Sequence, residues 1–92
     1  MARIFQVATL GEAHIRVCLV GDRGEADLLV YRVSSLGLAH GDPLWFVTKD
    51  KQSATCWVFF TSPGMAEVKV YFVANRSEAG WQKEHRLRGK FG

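Results

Sequence analysis

No apolar run in this chain is long enough to cross a membrane as a helix. The longest, such as Leu28–Tyr31 and Cys56–Phe60, fall far below the ~18 residues a span needs. An export signal is not expected either. The apolar start at Ile4-Phe5 is interrupted by Gln6 and soon followed by Glu12 and His14, which fits a first β-strand better than a signal peptide. Without such a signal the sequon Asn75-Arg76-Ser77 carries no weight. Cysteine is scarce: Cys18 and Cys56 each sit among apolar neighbours, as buried thiols in a reducing cytoplasm do, while their spacing leaves a disulfide open. No stretch holds a convincing helical period. Leu10–Ala13 and Arg76–Ala79 have room for a single turn, and Trp81–Leu87 is the one helix candidate, too short to stand alone. Also missing are Gly-x-Ser-x-Gly, a phosphate loop, His-Glu-x-x-His and Cys-x-x-Cys, so no catalytic, metal or cofactor assignment follows from motifs.

What the chain does have is apolar density. With 92 residues, 48% of them hydrophobic, it forms one domain, residues 1–92. A domain this short buries only about 60–65% of its unfolded surface and needs a dense core. Charge is unevenly placed. Residues 1–80 hold eight acids and eight bases, and the excess lies in the segment 81–92, where Lys83, Arg86, Arg88 and Lys90 face only Glu84. This basic segment is expected to dock on the domain or trail from it.

The strongest signal is an internal repeat of about 13 residues. Strand-like quartets open at Ile4, Val17, Val30, Leu44, Val58 and Val70, and each leads to a turn ending in alanine: Ala13, Ala26, Ala39, Ala54, Ala66 and Ala79. The quartet begins with an aliphatic residue and usually continues with an aromatic, at Phe5, Tyr31, Trp45, Phe59 and Tyr71. Such residues suit a pleated, half-buried strand. Gly11, Gly24, Gly37 and Gly64 precede the alanine by two positions, which suggests turns of positive φ. One small residue recurring in register suggests close backbone crossings at each alanine. At the third quartet position the halves differ: Gln6, Leu19 and Arg32 against Phe46, Phe60 and Phe72. This suggests that the second half buries both strand faces as central strands. The fold class is therefore all-β: a compact domain of about six strand–turn repeats, which ordinarily reads as a sandwich or small barrel.

The stretch Gly24–Ala39, together with Gly64-Met65-Ala66, Glu78-Ala79-Gly80-Trp81 and His85-Arg86-Leu87-Arg88-Gly89, resembles the bacterial septoil-knot domain family over essentially the whole chain. The resemblance implies a β-rich domain whose backbone forms a seven-crossing torus knot, a path that the usual rule against knots would exclude. It brings no established activity, substrate or cofactor. It does imply a docked C-terminal segment, with Arg86 and Arg88 pairing Glu25, Asp27 or Asp22.

Three site readings remain. His14, Asp27, His40 and Glu67 follow the alanines and would make a polar or metal-binding cluster if they converged, although a preference for polar residues at turn–strand junctions explains them as simply. Glu12, Glu25 and Glu78, just before the alanines, fit turn or surface roles better than acid–base chemistry. Lys83, Arg86, Arg88 and Lys90 are candidate phosphate contacts, with Trp45, Trp57 and Trp81 as stacking platforms for single-stranded nucleic acid. The expectation is a cytoplasmic, non-enzymatic structural or interaction module, a stable homodimer or monomer, with nucleic-acid or anion binding as the alternative and an enzyme using His14 or His40 as the second.

Overall fold

A computed structural model describes residues 2–92. The chain runs through seven strands: β1 Ala2–Gln6, β2 Ile15–Leu19, β3 Leu28–Arg32, β4 Leu44–Val47, β5 Cys56–Phe60, β6 Val68–Phe72 and β7 Gly80–Trp81. No α-helix occurs among the described residues. Short 3-10 turns join most strands, at Leu10–Glu12, Arg23–Glu25, Leu36–Leu38, Lys51–Ser53 and Arg76–Glu78. Asp22 and Asp50 start two of these turns by accepting the backbone N–H of Gly24 and Gln52 at 2.9 and 3.1 Å, as N-cap carboxylates do.

The first six strands are all parallel and close into a barrel. Its circular order is β1-β5-β2-β6-β3-β4, closed by the pairings of β4 with both β1 and β3. The first half of the chain lays down β1, β2 and β3 at alternate positions. The second half threads β5 between β1 and β2, and β6 between β2 and β3. Only the step from β3 to β4 reaches an immediate neighbour. Strands are staggered, so each uses its two ends on different partners: Ala2–Ile4 meets β4, and Ile4–Gln6 meets β5. β7 then runs antiparallel against the start of β3, with Leu28 opposite Trp81.

Alternation along each strand fills the barrel in layers. Ala2, Ile15, Leu28, Cys56 and Val68 form the layer at the strand starts. Ile4, Val17, Val30, Trp45, Val58 and Val70 form the middle, and none of those six is more than 1% exposed. Burying one such side chain is worth about 1.5–3 kcal/mol. Trp45 is the only aromatic in the middle layer. It touches Phe72 edge-on at 6.0 Å towards the strand ends and Phe91 at 5.4 Å towards the strand starts.

The all-β expectation agrees with this architecture, and four finer readings change. The fourth unit begins at Trp45, one position later than the quartet at Leu44, because the linker His40–Pro43 is longer and irregular. The third positions are then Gln6, Leu19, Arg32, Val47, Phe60 and Phe72, all at strand ends, so the two halves do not differ as central and outer strands. Trp81–Leu87 is not helical: after β7 it bends at Gln82–Lys83 and enters a turn at Arg86, across the barrel's base. Finally, the repeat glycines Gly11, Gly24, Gly37 and Gly64 have no positive φ, and open space surrounds the place where a Cβ would sit on Gly11. Positive φ is needed instead at Gly41, at +64°, in the irregular linker.

The alanines end the 3-10 turns in extended conformation at Ala13, Ala26, Ala54 and Ala79. Ala26 and Ala39 are buried, and the other four are half-buried. Ala26, Ala39 and Ala79 pack on the barrel's outer face with Tyr31, Tyr71 and Phe46.

These positions predict opposite signs for one substitution. Gly11→Ala is expected to raise stability by about 0.4–1 kcal/mol, by restricting the unfolded chain. Gly41→Ala is expected to lower it by about 1–2 kcal/mol, for forcing a side chain into left-handed backbone. Urea denaturation of both variants checks this, and a loss at Gly11 or a gain at Gly41 would contradict it.

Candidate functional site

The two ends of the barrel are built differently. At the strand starts, polar residues close the staggered edge. Four of the six residues after the alanines donate their N–H to the carbonyl of an outward strand residue and accept that residue's N–H on their side chain. Thr55 does this with Arg3, at 2.8 and 2.9 Å, and Glu67 with Arg16, at 2.9 and 3.0 Å. Asp27 does it with Lys69, at 2.8 and 2.9 Å, and His14 with Trp57, at 2.8 and 3.0 Å. The stagger would otherwise leave these strand groups without partners. The polar position thus has a structural cause. His14, Asp27 and Glu67 stand one to a junction around the rim, while His40 is exposed in the linker. Among the described residues no group of three or more His, Cys, Asp or Glu could hold a metal ion.

The C-terminal segment plugs the same end. Leu87 and Phe91 enter the main core, Phe91 fully buried. Asp42, 6% exposed, holds them there. Its carboxylate accepts the Trp81 indole N–H at 2.9 Å and the backbone N–H groups of Gly89 and Phe91. Its carbonyl accepts the Trp45 indole N–H at 2.7 Å. Thr55 donates its hydroxyl to the Phe91 carbonyl at 2.8 Å, and the Gln82 amide bridges the carbonyls of Arg23 and Ala26.

Two of the four tail bases are drawn into this closure. Lys83 pairs Asp27 at 2.9 Å and Arg86 pairs Glu67 at 3.1 Å. Arg88 reaches Glu84 more loosely, at 3.8 Å, and Lys90 is exposed. Burial raises the Asp27 carboxyl, but the Lys69 N–H, Lys83 and His85 outweigh it and hold the group below its ordinary value. Glu67 follows the same balance, with the Arg16 N–H, Arg86 and the Arg16 charge on the lowering side. Glu12, on the surface, is lowered by its hydrogen bonds to Lys51 and Thr9. Glu78 pairs Arg23 at 3.2 Å.

Of the aromatics offered as stacking platforms, Trp45 and Trp57 are covered, while Trp81 also lines an open hollow beside Lys83 and Arg88. Trp57 stacks on His14 at 4.9 Å and takes the Lys51 ammonium over its ring at 4.5 Å. Trp81 stacks on His85 at 5.2 Å, and Trp45 is in the core. The thiols are free and buried. Burial, with the nearby Asp42 and Glu67 charges, pushes Cys56 up to about 12, which removes it as a nucleophile at neutral pH.

At the strand ends the barrel is open. The six third-position side chains ring a cup of about 410 Å³, with Ile4 and Trp45 as its floor. Leu19 and Val47 are 46% and 52% exposed on the rim, and Phe60 and Phe72 are half-buried in the wall. Arg32 is the one charged residue lining the cup. Its guanidinium lies over the Phe72 ring at 4.4 Å. An open apolar cup with few polar groups is how binding sites are usually built.

A family model described as the 7(1) septoil knot domain matches residues 1–82. The match stops short of Leu87 and Phe91. No curated protein and no solved structure matches the chain.

Two expectations arise from the plugged end. Asp42→Ala strands two backbone N–H groups and an indole N–H, so it is expected to lower stability by at least about 2 kcal/mol. Hydrogen exchange should rise first at Gly89 and Phe91; unchanged exchange there would contradict the anchoring role. For pH, Asp27 and Glu67 both have folded values below their ordinary 3.8 and 4.5. Their stabilisation is complete above those values and is lost as pH falls through the lower folded ones. The melting temperature should therefore hold from pH 7 to about 5 and fall below about 4.5. That fall should be shallower in the double variant Asp27→Asn/Glu67→Gln, and an identical acid profile would contradict the assignment.

Proposed function

The chain belongs to the septoil-knot domain family, and from that premise we propose that it is a non-enzymatic interaction module whose knotted barrel holds one open apolar mouth in fixed shape. The observation that carries this reading is the contrast between the ends. One is filled by Leu87 and Phe91 and sealed by Asp42. The other exposes Leu19 and Val47 above a ready-made cup.

The knot is supported by the family and by the path. A chain that circles one axis and returns between its own earlier strands follows the course of a torus knot, and small alanines, two buried and four half-buried, suit close crossings. A closed barrel presents no free strand edge, so contact through the mouth is favoured over strand addition. Self-association is the companion reading, because two facing mouths would cover the same apolar side chains. Phosphate binding by the tail has less support, since Lys83 and Arg86 already pair with Asp27 and Glu67.

A neutral solvatochromic dye tests the mouth. Nile red emission is expected to rise with the folded protein and to return to background in the double variant Leu19→Ser/Val47→Ser, whose circular dichroism should be unchanged. Sedimentation of the same pair reads self-association. Emission equal in both proteins, with no change in mass, would overturn the mouth as the working surface.

A further inference from the structure

The chemistry of the cup narrows what the mouth would hold, an inference that rests on the mouth being the working surface. The cup is lined mostly by apolar groups, yet it contains a single cation. The Arg32 side chain makes no hydrogen bond or ion pair with any described residue, and its one partner among them is the Phe72 ring. Stacking covers one face of the guanidinium and leaves its in-plane N–H donors free. Those donors have the fork geometry that fits a carboxylate with two parallel hydrogen bonds. Gln6 lines the same cup and adds an amide.

We propose that the mouth binds a small monocarboxylate with an aromatic or branched apolar body, its carboxylate on Arg32 and its body against Phe60, Phe72 and the Trp45 floor. One guanidinium matches one negative charge, whereas a dianionic phosphate calls for more than one cation. The cup's volume, about 410 Å³, lies near the lower end of the range for small-molecule sites. The closed barrel offers a peptide no strand edge to extend, which favours a free small molecule over a chain terminus.

The test uses 4-phenylbutyrate, with 4-phenylbutyramide as its neutral match, titrated into the full chain while amide resonances are followed. The acid is expected to shift the amides of Leu19, Arg32, Val47, Phe60 and Phe72 saturably, and the amide to bind about tenfold more weakly. Arg32→Met keeps the apolar stem over Phe72 and removes the charge. It is expected to reduce the acid to the affinity of the amide and leave the amide unchanged. Equal affinities in the wild type, or an acid indifferent to Arg32→Met, would overturn carboxylate recognition while the mouth remained an apolar site. A dimer whose mouth amides are protected, with neither probe bound, would make a second copy the occupant and also overturn it. If neither probe binds and Nile red is silent too, the mouth reading itself falls.

Discussion

Around a ring of six parallel positions, a chain that always skips one neighbour returns to its own first strand after three. One step must therefore be odd, and here it is the step from β3 to β4. The linker His40–Pro43 makes it. Gly41 supplies the left-handed residue that turns the chain, and Asp42 is left buried where the barrel's base must be closed. The same residue accepts from Trp81, Gly89 and Phe91. One irregular linker thus shifts the second circuit into the gaps of the first and anchors the end of the chain.

The functional asymmetry comes from that arrangement. All six barrel strands point the same way, so their starts share one end and their finishes share the other. The starts need partners for staggered backbone groups, and Thr55, Glu67, Asp27 and His14 provide them. Two of these side chains are carboxylates, and they draw in the basic tail, which brings Leu87 and Phe91 with it. Nothing equivalent covers the finishes among the described residues. Their third-position side chains form the rim of the cup, and the floor beneath is the rigid middle layer.

The local code was legible in the sequence, and the long-range order was not. Strand, turn and alanine are set within one unit, so the repeat appears in a single pass. Which strands pair is decided by segments far apart in the chain, as Ile4 with Cys56 and Val17 with Val68. The ring of third positions was visible residue by residue. It read as a contrast between halves because a sequence does not say that the halves alternate around one barrel, and because the odd linker displaced the fourth unit by one. That slip was also the available signal for Asp42: the repeat breaks at Gly41-Asp42-Pro43, where a carboxylate stands without a unit position to explain it. Of the polar residues after the alanines, His14, Asp27 and Glu67 pair with strand backbones and not with one another, and His40 stays in the linker.

The plugged end and the open mouth both depend on the interleaving of the two circuits, and cross-strand nuclear Overhauser contacts between backbone protons measure it directly. Contacts are expected from β5 to both β1 and β2, in the registers Ile4 to Cys56 and Ile15 to Val58, with none between β1 and β2. Direct β1–β2 pairing, or β5 contacting only one of the two, would contradict it.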